Sequence, residues 1–245
     1  MISSAFWLNN QERLLNKIKS GNLADFLTWD FICHTMFHEL HSNKFNALKN
    51  SKVWNTWKDA IKEDAFGNPK QYHLYPQSSG NLLHHAHSLW QFSEFATNFD
   101  LSALNAIFEF GCGYGSLCRL FYRLGFNGKY TLYDLPAFSE LQRHFLQNVN
   151  VDLNNLQFIN SINEKNEVDM FIAMWSISEC PIALRDVIFS KIEPRYYLII
   201  YQHAFDGIDN QFYFNRLMES KSQYRWTTYQ VPEIENSFYL FGEKI

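Results

Sequence analysis

Along the first hundred residues, apolar side chains recur every three or four positions with polar ones between them. Leu14, Leu15 and Ile18 follow the polar start Asn9-Asn10-Gln11-Glu12 at helical spacing. Phe26, Trp29, Cys33, Phe37 and Leu40 step by three and four, which sets them on one face of a single helix. Val53, Trp54, Trp57 and Ile61 repeat the pattern, and Gly67-Asn68-Pro69 is a place for that helix to stop. Residues 76–81 read as a loop, and a further helix is expected over about 82–95.

The pattern changes near Asp100. Short β-rich apolar runs now alternate with helical stretches: strands over 106–110, 129–133, 156–159, 168–174 and 196–201, helices over 116–124, 137–147, 182–189 and 212–220. Strands separated by helices form parallel βαβ units. The last two runs, 225–231 and 237–242, are joined by Pro232 and a polar turn, so they form an antiparallel hairpin. The expectation is an α/β chain, with a helical cap over 1–98 and a seven-stranded, mostly parallel domain over 99–245.

The chain has 245 residues, a formal net charge of −4 and 18% aromatic residues. Mild acidity without a basic run disfavours nucleic-acid binding, which needs clustered Lys and Arg. Cys33, Cys112, Cys118 and Cys180 include no C-x-x-C pair and read as reduced thiols. There is no basic-then-apolar leader and no apolar run of the roughly 18–20 residues that a spanning helix needs, so a cytoplasmic protein is expected.

The segment Glu109-Phe110-Gly111-Cys112-Gly113-Tyr114-Gly115 leaves a strand and opens a helix. Glycines let the backbone approach a ligand through turns that a Cβ blocks. The helix N-terminus then offers free N–H groups to a polar or anionic ligand. About 20 residues on, the next strand ends in Tyr133-Asp134-Leu135, where a carboxylate can accept hydrogen bonds from ribose hydroxyls. Together these features point to an adenosine-containing cofactor. A nicotinamide site uses G-x-G-x-x-G. Here the third glycine comes one residue early, Ser116 takes its place, and an acid sits two before the first glycine.

The E-x-G-x-G-x-G run resembles motif I of class I S-adenosylmethionine-dependent methyltransferases, and the resemblance extends over 100–245 with its closing hairpin. It implies a Rossmann-like fold and S-adenosyl-L-methionine as cofactor. It implies that Gly111, Gly113 and Gly115 line the methionine part, with Glu109 and Tyr114 in the same site. By the same resemblance Asp134 holds the ribose and Leu135 packs on the adenine. Asn160, Ser161 and Ile162 lie at the adenine edge, and Met174, Trp175 and Ser176 close the other side. The run Trp175-Ser176-Ile177-Ser178-Glu179 lacks the N-P-P-Y motif of amino-methyltransferases and the Asp cluster of metal-dependent O-methyltransferases. With 108–124, 130–145, Tyr201-Gln202-His203 and Ile208-Asp209-Asn210, it is similar to a bacterial family of sugar O-methyltransferases. That finer resemblance implies methylation of a hydroxyl on a surface glycan or its precursor.

Methyl transfer is an in-line displacement, and a sugar hydroxyl needs a base within hydrogen-bond reach. Loops at the C-terminal strand ends can supply one. His203 follows the fifth strand and is the first choice, because an unshifted His titrates near neutrality. Glu179 follows the fourth strand and could be the base, orient His203, hold the substrate or cap a helix. Ser178 and Asn210 are candidates for the acceptor hydroxyls. Tyr72 and Tyr75 are candidates for a sugar face. His84 and His85 are candidates for contact from the cap. His34, His38 and His41 share a helix face, but His38-Glu39-Leu40-His41 is not H-E-x-x-H, and no metal is expected. Two other readings stay open: a different small-molecule acceptor, or a non-catalytic S-adenosylmethionine binder. An exposed cap face would also suit a homodimer.

Overall fold

The computed structural model describes residues 5–21, 23–37 and 40–245. Helices α1 (Ala5–Ser20), α2 (Asp30–Met36) and α3 (Ser42–Lys49) come first. A single helical turn at Trp54–Trp57 and a short hairpin of Gln71–Tyr72 with Tyr75–Ser79 lead into α4 (Gly80–Phe95). Three local expectations are corrected here. Phe26 to Leu40 is not one helix: Leu23–Thr28 is a 3-10 segment, Trp29 is extended with ψ 131°, and α2 stops at Met36. The helix through Trp54 and Trp57 lasts one turn and gives way to turns over 58–61. The expected loop over 76–81 is mostly the second hairpin strand, polar because its first half is solvent-facing. It ends at Ser79, whose hydroxyl accepts the Leu82 N–H at 3.1 Å and caps α4.

Strands and helices then alternate: β1 (Ala106–Phe110), α5 (Ser116–Arg123), β2 (Lys129–Tyr133), α6 (Pro136–Asn148), β3 (Leu156–Ile159), β4 (Met170–Met174), α7 (Ile182–Lys191), β5 (Tyr196–Gln202), α8 (Asn210–Ser220), β6 (Tyr224–Gln230) and β7 (Ser237–Lys244). They form one sheet in the order β6-β7-β5-β4-β1-β2-β3. β7 runs antiparallel to β5 and β6, and the other neighbours are parallel. A two-residue hairpin, Ala204–Phe205 with Ile208–Asp209, precedes α8 and left no readable signal in the sequence.

Alternation along β5 divides the core. Tyr196, Leu198 and Ile200 pack with residues of α4, α5 and α6, while Tyr197, Ile199 and Tyr201 pack with residues of α7 and α8. The first half of the chain joins the former core: Leu14, Phe26, Phe45 and Leu82 belong with Ile107, Tyr130 and Phe241. Phe92 of α4 meets Tyr196 and Phe241 edge-on at 5.7 and 5.5 Å, so its loss to Ala should cost about 3–5 kcal/mol. Among the described residues, no helix is long and apolar enough to cross a membrane. The strand order reverses between β1 and β4, so the loops leaving their C-terminal ends diverge and open a crevice there.

Candidate active site

The crevice is shaped by backbone that few residues could adopt. Gly111, Gly113 and Gly115, in the loop after β1, have φ of 69°, 55° and 95°, a region costly for residues with a Cβ. The Gly111 N–H donates to Tyr133 O at 2.8 Å. A Cβ on Gly111 would stand 2.2 Å from Ser176 Cβ, so the loop after β4 closes directly onto this glycine. The Ser176 hydroxyl donates to the Phe110 carbonyl oxygen beside it. Trp175 makes that close approach by adopting φ 63°, a strain of about 1–3 kcal/mol for a bulky residue. Its N–H donates to Ile200 O at 2.7 Å, its indole N–H donates to Ser237 Oγ at 3.1 Å, and the His84 ring lies 5.3 Å from it.

Asp134 follows β2 and is tied to the glycine loop. Its Oδ1 accepts the Leu135 N–H at 2.8 Å, and its Oδ2 accepts Gln142 Nε2 at 2.9 Å. The same Gln142 nitrogen donates to Gly113 O at 3.0 Å. Burial pushes Asp134 up to about 7. Glu109, on β1, receives the Tyr130 hydroxyl at 2.7 Å. Burial pushes it up to about 8, and repulsion from Asp134 acts in the same direction.

The remaining wall comes from the first half of the chain. Trp7 of α1, Thr35 and Met36 of α2, and Asn81 and His85 of α4 face the strand ends across a cleft of about 1090 Å³, counting its open mouth. Trp7 Nε1 donates to Glu179 Oε2 at 2.7 Å, and the Trp7 ring meets Phe138 edge-on at 5.8 Å. Gln202 Nε2 donates to the other oxygen of Glu179 at 3.2 Å. Burial raises the Glu179 carboxyl above its ordinary range.

The structure brings Glu109, Gly111, Gly113, Tyr114, Asp134, Leu135, Met174, Trp175, Glu179 and His85 together around this cleft. Gly115 sits just below it as the N-cap of α5, against Leu146. Asn160 and Ser161 are exposed beyond the end of β3, and Ile162 packs against the core of α7 and α8, so none of the three lines the cleft. His203 is exposed and outside it, with its N–H donating to Asn236 O and its carbonyl accepting the Asn210 N–H. Ser178 and Asn210 serve a buried network instead: Ser178 Oγ bonds Trp175 O and Gln202 Oε1, both at 2.6 Å, and Asn210 Oδ1 accepts Arg185 at 2.6 Å. Tyr72 and Tyr75 join Phe45 in an aromatic cluster at 5.5 and 5.9 Å, away from the cleft. His84 is buried behind Trp175. His38 and Glu39 lie outside the described residues.

Sequence reasoning missed Trp7, Thr35, Met36, Phe138, Cys180 and Leu184 as lining residues. Only Phe138 had a local signal, since it stands in the first turn of the helix that follows Asp134.

Solved methyltransferase structures share this architecture. The methyltransferase domain of bacterial CtHen1 superimposes with a TM-score of 0.52 at 12% identity, over 66% of this chain and 98% of that one. Magnesium protoporphyrin IX methyltransferase from Synechocystis, solved with bound S-adenosylmethionine, superimposes at 0.50 and 14% identity, over 85% of this chain and all of that one. No protein-family profile and no curated protein matches the chain. The fold is therefore the Rossmann-like class I methyltransferase fold, with its antiparallel edge as expected from the sequence.

Proposed function

We propose that the protein is an S-adenosylmethionine-dependent O-methyltransferase whose acceptor is a hydroxyl of a sugar, in a glycan or its precursor. One observation carries the reading: the glycine loop, Asp134 and the strained Trp175 turn converge on one cleft at the strand-order reversal. The residues present fit the cofactor. Asp134 is held at the end of β2 by the Leu135 N–H, the Gln142 amide and the backbone of Cys112 and Gly113, and it lines the cleft as an acceptor for a ribose hydroxyl. In the loop that ends at the N-terminus of α5, Ser176 and Leu146 fill the side-chain space at Gly111 and Gly115, while Gly113, with Met36 at 3.5 Å as its nearest neighbour, leaves backbone for a ligand to lie against. Glu109, Asp134 and Glu179 line the cleft without Lys or Arg among the described lining residues, so a cationic ligand would favour the ionised forms that burial alone disfavours.

When bound, S-adenosylmethionine supplies an electrophilic methyl on a positively charged sulfur. The chain's own work is to bind, orient and exclude water. Met36 and Trp7 cover the glycine loop and the strand ends. Asn81, Thr35 and His85 offer polar contacts beside the Trp7, Phe138 and Trp175 rings, a mixture suited to the polar edge and apolar face of a sugar. The test is incubation with isotopically labelled S-adenosylmethionine and a panel of free sugars, glycosides and glycan precursors, read as labelled methyl ether and S-adenosylhomocysteine. Label in a sugar ether supports the reading. Label in phenols or lipids with none in sugars overturns the acceptor class.

A further inference from the structure

We infer that Glu179 takes the proton of the acceptor hydroxyl and that Trp7, reaching in from α1, positions it. The inference rests on the cofactor reading above. Glu179 stands in the loop after β4 and lines the cleft. Its two oxygens are held by different donors, Trp7 Nε1 on Oε2 at 2.7 Å and Gln202 Nε2 on Oε1 at 3.2 Å. Two donors on two oxygens fix the plane of the carboxylate, and each oxygen keeps a lone pair. Both donors are themselves anchored. Gln202 Oε1 accepts the buried Ser178 hydroxyl at 2.6 Å, and the Trp7 ring packs on Phe138.

The other carboxyls of the cleft are committed elsewhere: Glu109 to the Tyr130 hydroxyl at the end of β1, Asp134 to the glycine loop through Gln142. His203 lies outside the cleft. In the transfer step the acceptor O–H proton moves to a Glu179 oxygen while the acceptor oxygen bonds the methyl carbon. The carbon–sulfur bond breaks with its electron pair on sulfur. The products are a methyl ether, neutral S-adenosylhomocysteine and protonated Glu179. Burial makes Glu179 a stronger base than an exposed glutamate. Cys180 adjoins it, and Glu109, Asp134, Cys112, Tyr133 and His85 share the cleft with it.

The test needs no acceptor. The Trp7 indole N–H resonance of the 15N-labelled full chain is followed against pH, free and saturated with S-adenosylmethionine or S-adenosylhomocysteine. It should titrate with a midpoint above that of an ordinary glutamate, lose that titration in Glu179→Gln and keep it in His85→Gln. A positive sulfur across the same cleft, within about 10 Å at an effective dielectric of about 40, should lower the midpoint by about half a unit or more relative to the neutral product. A Trp7 indole that does not titrate, one whose titration depends on His85, or equal midpoints with the two ligands would overturn the assignment. If both ligands bind, such a failure belongs to Glu179 alone. If neither binds, the cofactor reading fails and the assignment falls with it.

Discussion

Replacing Gly111 by Ala tests the architecture of the cleft at its tightest point. The substituted residue would keep φ near 69°, costing about 1–2 kcal/mol for an L side chain. Its Cβ would lie 2.2 Å from Ser176 Cβ and 2.7 Å from Ser176 Oγ. Ser176 must retreat, losing its hydrogen bond to Phe110 O at about 1 kcal/mol, and overpacking adds about 1–3 kcal/mol. The expected destabilisation is about 3–6 kcal/mol, or a fall in Tm of roughly 10 °C or more for a domain of this size. Gly207→Ala is the control, since φ there is 77° but nothing lies within 4 Å of a Cβ. It should cost only the backbone term of about 1–2 kcal/mol. Urea denaturation followed by circular dichroism measures both. Equal losses in the two variants would refute the claim that the loop after β4 is seated on Gly111.

Three further outcomes follow from particular residues. Burial raises Asp134 to about 7, and its ionised form is the better acceptor for ribose. Calorimetric affinity for S-adenosylmethionine should therefore fall up to about tenfold per pH unit below about 7, and Asp134→Asn should flatten that profile and weaken binding about 10- to 100-fold. Lys44 is 3% exposed, its Nζ has no hydrogen-bond partner among the described residues, and burial lowers it to about 8 from 10.5. A lowered lysine penalises the folded state fully below about pH 8 and not at all above about 10.5. Lys44→Met should therefore be more stable than wild type at pH 7 by about 3 kcal/mol, with the gap closing over that window in denaturation curves. Asn210→Ala should cost about 2 kcal/mol, because buried Arg185 loses its 2.6 Å partner. The same variant should leave calorimetric S-adenosylmethionine affinity unchanged.

What the sequence revealed was whatever the chain encodes locally. The strands over 106–110, 129–133 and 156–159 are read to the residue because Asn105, Gly111, Gly128 and Asp134 punctuate apolar runs. The glycine loop and Asp134 were legible for the same reason, since backbone conformation and strand ends are short-range properties. Trp7 was not, because its partner Glu179 is 172 positions away and only the packing of α1 on α6 joins them. His203 and Glu179 looked equivalent by topology. They separate only in three dimensions, where the chain beyond β5 turns into the Ala204–Asp209 hairpin and leaves His203 in solvent. Aromatic content misled in the cap: Tyr72 and Tyr75 lie beside a connection, yet Phe45 and Trp54 gather them into a cluster. The Phe26-to-Leu40 stripe has helical spacing, but the chain breaks at Trp29, which buries Phe26 and Leu40 and leaves Cys33 exposed.

The cleft as an S-adenosylmethionine site is tested most directly by calorimetric titration of S-adenosylmethionine, S-adenosylhomocysteine and NADH into the purified chain, with Asp134→Ala beside it. Micromolar binding of the first two ligands, lost in the variant, is the predicted result. Silence with both, or a preference for NADH, would contradict it.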